Sequence, residues 1–336
     1  MVDTGRAWFF GRNNYGQLGD NTEIDKSTPV SVIGDHNFTN ISNGGNFSLA
    51  IDNNNKAWAW GDNTYGQLGN NTEISQSVPI SIVGDHNFTE ISAGEYHSLA
   101  VDNNNKAWAW GDNTYGQLGD NSITPKSIPI SVFGDHNFID ISGGEYHSLA
   151  IDNNNHAWAW GYNNLGQLGD NTTIDRSTPV SIFGNHNFIN ISSGDSHSLA
   201  IDNNNHAWAW GYNTQGQLGD NTATDRSTPV SVIGGHNFTN INGGGDHSLA
   251  IDNNNHAWAW GYNEQGQLGD NTLSNRSIPA SIFGNHNFID INGGGYHSLA
   301  VDNNNLVWAW GDNDYGQLGD NTETLRNTPV SVLGDF

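Results

Sequence analysis

The tetrapeptide Gly-Gln-Leu-Gly occurs seven times at intervals of 50 residues, at Gly16–Gly19, Gly66–Gly69, Gly116–Gly119, Gly166–Gly169, Gly216–Gly219, Gly266–Gly269 and Gly316–Gly319. A fixed period of this length is the signature of a propeller or a solenoid. It also sorts the residues. What returns in every copy is expected to be scaffold, because a functional site is needed once. What differs between copies is where a specific function can reside. The unbroken repeat argues for one domain in 336 residues.

One unit, residues 85–134, contains four short runs that read as strands between turn signals. Strand A is expected at Phe88–Ser92, B at Ser98–Asp102, C at Ala107–Gly111 and D at Pro129–Phe133. No segment carries a helical period of useful length. Asn103, Asn104 and Asn105 suit the B–C turn, because Asn tolerates left-handed backbone. Gly134-Asp135-His136-Asn137 forms the D–A turn. Strand C is the most diagnostic: Ala107-Trp108-Ala109-Trp110 places both indoles on one face and both alanines on the other. Where sheets are covered on both faces by neighbours, Trp of one packs against Ala of another. All 13 Trp lie in C strands, with Trp8 and Phe10 in the first copy. Burying one Trp is worth roughly 4–6 kcal/mol before entropy, so this ladder reads as core.

The unit Ile-Ser-x-Gly-x-x-His-Ser-Leu-Ala followed by Trp-x-Trp-Gly-x-Asn-x-x-Gly-Gln-Leu-Gly appears in full as Ile91–Ala100 and Trp108–Gly119. It resembles the regulator of chromosome condensation repeat, and the resemblance covers essentially the whole chain. That resemblance implies an all-β fold, a seven-bladed β-propeller of four-stranded antiparallel blades, and the seven tetrapeptides agree with the count. The expected units are a half blade at 1–34 and repeats at 35–84, 85–134, 135–184, 185–234, 235–284 and 285–336. Residues 1–34 would supply strands C and D, with Val2-Asp3 as a stub of B, so one blade is split or incomplete between the termini. The first B–C turn, Asp3-Thr4-Gly5-Arg6, is one residue shorter than the others. An open ring would expose sheet edges and invite self-association through the incomplete blade; a closed one would be a monomer.

The formal charge is −25, from 35 acidic and 10 basic residues. This opposes nucleic acid and anionic lipid, which are bound by Lys and Arg. It favours solubility or a basic protein partner. No cysteine is present, which removes disulfides, thiolate nucleophiles and thiolate metal sites. No apolar run approaches a membrane span, and no signal peptide precedes Trp8, so a soluble protein is expected.

His97-Ser98 with Glu95 nearby invites a hydrolase reading, but the pair recurs at His147-Ser148, His197-Ser198, His247-Ser248 and His297-Ser298, while the first copy has Phe47-Ser48. A pair repeated around a ring stabilises turns; no nucleophile elbow accompanies it, and no catalytic residue is expected. His36, His86, His136, His186, His236 and His286, with His156, His206 and His256, fall on one rim but lack metal-ligand spacing. Asp102-Asn103-Asn104-Asn105 lacks the Gly and Glu of a calcium loop. Neither metal nor cofactor is expected.

The variable positions are more informative. The A–B turns read Glu95-Tyr96, Glu145-Tyr146, Asp195-Ser196, Gly245-Asp246 and Gly295-Tyr296. The C–D connections begin with Asp62 and Tyr65, Tyr115, Tyr162, Tyr212 or Tyr262. Antiparallel connectivity puts both loop sets on one rim, where tyrosine favours protein contact. The expected function is therefore a non-enzymatic scaffold binding a protein through that rim. Alternatives are a structural or engineered repeat protein without a dedicated ligand and, from the resemblance alone, a guanine nucleotide exchange factor. The family's ultraviolet photoreceptor carries Gly-Trp-Arg-His-Thr at this turn; Gly94-Glu95-Tyr96-His97-Ser98 lacks its Trp and Arg.

Overall fold

The computed structural model describes residues 2–3 and 5–334. Thr4 of the first B–C turn and Asp335 at the end of the last repeat lie outside the described residues. Among the described residues the chain forms an all-β propeller with six complete four-stranded antiparallel sheets and one three-stranded sheet. The three-stranded sheet comes first and joins Val2–Asp3, Arg6–Gly11 and Lys26–Ser31. The fourth sheet represents the rest, with A at Phe138–Gly143, B at His147–Asp152, C at Ala157–Gly161 and D at Arg176–Ser181. Its strands pair in chain order, as short turns between antiparallel neighbours require.

Strand D begins earlier than its sequence suggests, at Lys126–Ser131 in the third sheet rather than Pro129–Phe133. A register shift between Ala109 and Gly111 sets Gly111 opposite Lys126 and Ile130 opposite Ala109. Gly111 takes φ +103°, which a side chain would resist. Pro129 then sits within the outermost strand, where a missing N–H is tolerated and edge-to-edge pairing is discouraged. Seven of the eight prolines occupy this place, one in each D strand.

The core is a set of interfaces between consecutive sheets. Trp160 is fully buried together with Leu99, Ala107, Ala109 and Leu118 of the preceding sheet. The inner indoles Trp60, Trp110, Trp160, Trp210, Trp260 and Trp310 are all 0% exposed. Their C-strand partners, such as Trp158, are only half-buried, and each donates its Nε1–H to the B-strand aspartate, as Trp158 does to Asp152 at 3.1 Å. A strands of successive sheets lie side by side about the axis, stitched by bonds such as Gly143 N–H to Ser92 Oγ at 3.1 Å.

The same contact joins each sheet to the next and the last to the first. Asn121 N–H reaches Ser177 O at 2.8 Å, and Asn321 N–H reaches Ser27 O at 2.9 Å. Gly166 has φ +81°, and a Cβ there would lie 2.6 Å from Ser227 Cα. Gly166→Ala is therefore expected to lower stability by about 1–3 kcal/mol, measured as a shift in denaturant midpoint. The last sheet is less covered than the others. Its B strand alternates buried and half-buried residues, with Leu299 and Val301 half-buried where Leu249 and Ile251 are buried.

Candidate functional site

Residues that recur in every copy are absorbed by contacts between sheets. In the third copy Gln117 O accepts both Trp160 Nε1–H at 2.8 Å and Ser148 Oγ–H at 2.8 Å. Gln117 Oε1 accepts Tyr115 N–H at 2.9 Å, and Leu118 N–H bonds Asn113 Oδ1 at 3.0 Å. Gly119 lies flat on the Trp160 indole, where a Cβ would meet Nε1 at 2.8 Å. The tetrapeptide is thus the latch between neighbouring sheets.

The histidine–serine pairs form across sheets, not within them. His97 Nε2 lies 2.9 Å from Ser148 Oγ, and His147, His197 and His247 repeat the contact with Ser198, Ser248 and Ser298. Ser148 already gives its proton to Gln117 O, so His97 must donate from Nε2. The Nδ1 atoms of these four rings are buried without a partner. Burial pushes their pKa from 6.5 down to about 3, so the rings are neutral. A serine hydroxyl already committed as donor, beside an imidazole that cannot take up a proton near neutrality, is not an activated nucleophile.

On the opposite rim each D–A histidine covers a half-buried indole; His136 lies 4.0 Å from Trp158, centroid to centroid. Asp152 Oδ1 accepts Asn154 N–H at 2.8 Å and His156 N–H at 3.1 Å, which closes the B–C turn. Asn155 takes φ +62° there. Among the described residues no group of three or more His, Asp and Glu is arranged to hold a metal ion.

The variable residues gather elsewhere. The A–B turns meet around the axis through main-chain bonds: Glu95 N–H to Gly144 O, Glu145 N–H to Asp195 O and Asp195 N–H to Gly245 O, each 3.1 Å. This brings Glu95, Glu145, Asp195 and Asp246 to one mouth of the ring. Glu95, Glu145 and Asp246 are all shifted above the ordinary carboxylate value, first by burial, and Glu95 also by the charge of Glu145. Asp195 is pushed up to about 7 by its crowded surroundings and by the charges of Glu95, Glu145 and Asp246. Its side chain is exposed to solvent, which screens the neighbouring charges, so only part of this shift bears on stability. Because its folded pKa exceeds the ordinary 3.8, the charged form costs stability, and the cost grows from about pH 4 to pH 7. Asp195→Asn is expected to raise the melting temperature by a few degrees at pH 8 and to have no effect below the ordinary carboxylate range, as thermal melts would show.

Beside these acids five of the tyrosines touch. Tyr65 meets Tyr96 edge-on at 5.6 Å, and Tyr96 stacks on Tyr146 at 5.4 Å. Tyr115 lies 5.2 Å from Tyr146 and 4.7 Å from Tyr162. Tyr262 and Tyr296 form a separate pair at 6.0 Å, and Tyr212 belongs to neither group among the described residues. Asp62 and Asp112 serve the loop itself; Asp112 Oδ2 accepts Gln117 Nε2–H at 2.8 Å. Sequence reasoning missed the A-strand residues Glu90 and Asp140 near the axis. Burial, with a smaller contribution from Glu90, raises Asp140 to about 6. Comparing the third A-strand position across copies (Asn40, Glu90, Asp140, Asn190, Asn240, Asp290) carries the signal that would have found them.

The family model described as the RCC1-like domain matches residues 1–235, and two models of the regulator of chromosome condensation (RCC1) repeat match within 238–335. No curated protein sequence matches the chain significantly. Among solved structures, human WBSCR16 is similar with TM-score 0.89 at 20% identity, covering 98% of this chain and 94% of that one. Yeast RCC1 (Prp20) bound to Kap60 gives TM-score 0.86 at 20% identity, covering 99% and 85%. Prp20p of Saccharomyces cerevisiae, described with its binding properties to Gsp1p and histones, gives 0.86 at 22% identity, covering 99% and 87%.

Proposed function

The chain belongs to the RCC1-like domain family, and on that premise we propose that it is a non-enzymatic scaffold that binds a protein through the rim of A–B and C–D loops. We read its sheets as seven blade equivalents built on the 50-residue units, the first of them lacking strand A. One observation carries the functional reading. The repeated polar residues are consumed in joining sheets, whereas several of the rim residues that vary between copies, Glu95, Glu145 and Asp195 with Tyr65, Tyr96, Tyr115, Tyr146 and Tyr162, gather at one mouth of the ring. Similar propellers are described as bound to Kap60 and as binding Gsp1p and histones, which supports a protein partner here. The ring would act as a rigid frame, so little ordering cost falls on binding.

Replacing Glu95, Tyr96, Glu145 and Tyr146 together by Ala is expected to abolish capture of proteins retained by the unaltered chain in a pull-down. Capture that stays unchanged would remove the rim from consideration. A second reading rests on the half-buried Leu299 and Val301 of the last sheet: a repeat protein without a dedicated ligand that self-associates there. It requires a mass in solution that rises with concentration, whereas the rim reading expects a constant monomer mass. Nucleotide-release assays on small GTPases are expected to show no exchange by this chain.

A further inference from the structure

Ion pairing is distributed unevenly over this molecule. The outer loop aspartates are neutralised: Asp170, Asp220, Asp270 and Asp320 each hold an arginine at 2.8–2.9 Å. None of the ion pairs among the described residues involves Glu95, Glu145, Asp195 or Asp246. These four carboxylates repel one another and remain without a cation. Directly beside them stand the linked rings of Tyr65, Tyr96, Tyr146, Tyr115 and Tyr162, on the second to fourth sheets only. Tyr65 is exposed and the other four rings are half-buried, so the cluster offers aromatic faces at the surface; elsewhere the tyrosines form only the Tyr262–Tyr296 pair among the described residues.

Resting on the rim reading, we propose that this quadrant receives an arginine side chain from an extended segment of a partner protein, its guanidinium held by Glu95, Glu145 and Asp195 and stacked on the tyrosine faces. The chemistry fits arginine best. A planar guanidinium pairs with carboxylates through two parallel N–H bonds and also stacks on aromatic rings, which a lysine ammonium does less well. The rings supply cation–π attraction and exclude water from the ion pair, which strengthens it. The molecule shows the same pairing on a small scale: Arg12 lies over the Tyr315 ring at 5.1 Å, on this rim at the junction of the last and first sheets.

The test uses the full chain and a fluorescein-labelled peptide, Gly-Ser-Arg-Gly-Arg-Ser-Gly, with a second peptide carrying citrulline at both arginines. Citrulline keeps the shape and removes the charge. Fluorescence anisotropy at low salt is expected to show binding of the arginine peptide and roughly tenfold weaker binding of the citrulline peptide. Glu95→Gln/Glu145→Gln/Asp195→Asn is expected to erase that difference, and Tyr96→Leu/Tyr146→Leu to weaken the arginine peptide with the charges intact. Tyr212→Ala, outside both tyrosine groups, should change neither. Circular dichroism at matched temperature confirms that each variant is folded. Equal binding of both peptides, no binding of either at millimolar concentration, or full binding by the triple variant overturns the proposal. Protein capture lost with the alanine rim variant but retained by the triple variant would leave the rim reading standing and remove the arginine.

Discussion

Acidifying the solution from pH 7 to pH 4.5 is expected to unfold this propeller cooperatively. The main cause, with His297 held down to about 4 and acting in the same direction, is the set of four fully buried imidazoles His97, His147, His197 and His247. Each has an ordinary value of 6.5 and is held down to about 3 by burial. Between those two values the unfolded chain binds a proton that the folded ring refuses, so stability is complete above about 6.5 and falls as the pH drops through this window. Each refused proton costs on the order of 1.4 kcal/mol per pH unit, so four make a slope of roughly 5 kcal/mol per unit. A total stability of about 5–15 kcal/mol is exhausted within a few units. Asp195 and Asp140 act in the opposite direction, because their raised values make the folded state take up protons first. Glu90, Glu95, Glu145 and Asp246 are raised as well and act in the same sense, so the acids soften the slope set by the histidines. The chain also contains its own control. Phe47 occupies the histidine position in the second sheet, and Ser98, which faces it across the interface, still donates to Gln67 O at 2.7 Å. Changing the four histidines to Phe should therefore flatten the acid limb and leave the fold intact. Denaturant midpoints at pH 7, 6, 5 and 4 read this directly; a midpoint that holds steady from pH 7 to pH 5 would sink the argument.

Trp160→Ala is expected to cost about 3–5 kcal/mol at pH 7, with the denaturant midpoint as the measurement. The indole is fully buried, and its Nε1–H satisfies Gln117 O at 2.8 Å. Removing it opens a cavity against Ala107 and Ala109 and strips a donor from a buried carbonyl. Trp158→Ala, two residues away on the same strand, should cost distinctly less, because that ring is only half-buried. Trp160→Phe should fall between them. Phe10 stands at the corresponding place in the first sheet and packs against Gly319, so the interface accepts a smaller ring. Equal losses for Trp158→Ala and Trp160→Ala would show that the ladder is not the seat of cohesion.

Much of this arrangement was legible in the residue pattern. Alternation in Ala157-Trp158-Ala159-Trp160 gave the strand and its two faces, because a pleat repeats every two residues. The three-asparagine turn was legible because few side chains tolerate left-handed backbone, and Asn105 indeed takes φ +61°. Strand D was misplaced, since a bulge shifts register without leaving a mark in hydrophobic pattern. The His97-Ser98 pair is expected from the sequence to stabilise a turn, and instead His97 bonds across to the next sheet. Neighbours in sequence point to opposite faces of a strand, so His97 finds its serine 51 residues later, in the next sheet.

The repeat alone determined an all-β chain of equivalent units, the Trp–Ala packing between them and the set of positions free to vary. Those properties follow from local periodicity and from what must recur if every unit packs alike. Only the tertiary structure decided which variable residues meet. Glu95, Glu145 and Asp195 come from three sheets and 100 residues of chain, and converge because the A–B turns bond one another around a common axis. Their mutual repulsion, and the five tyrosines beside them, exist only once the ring has formed.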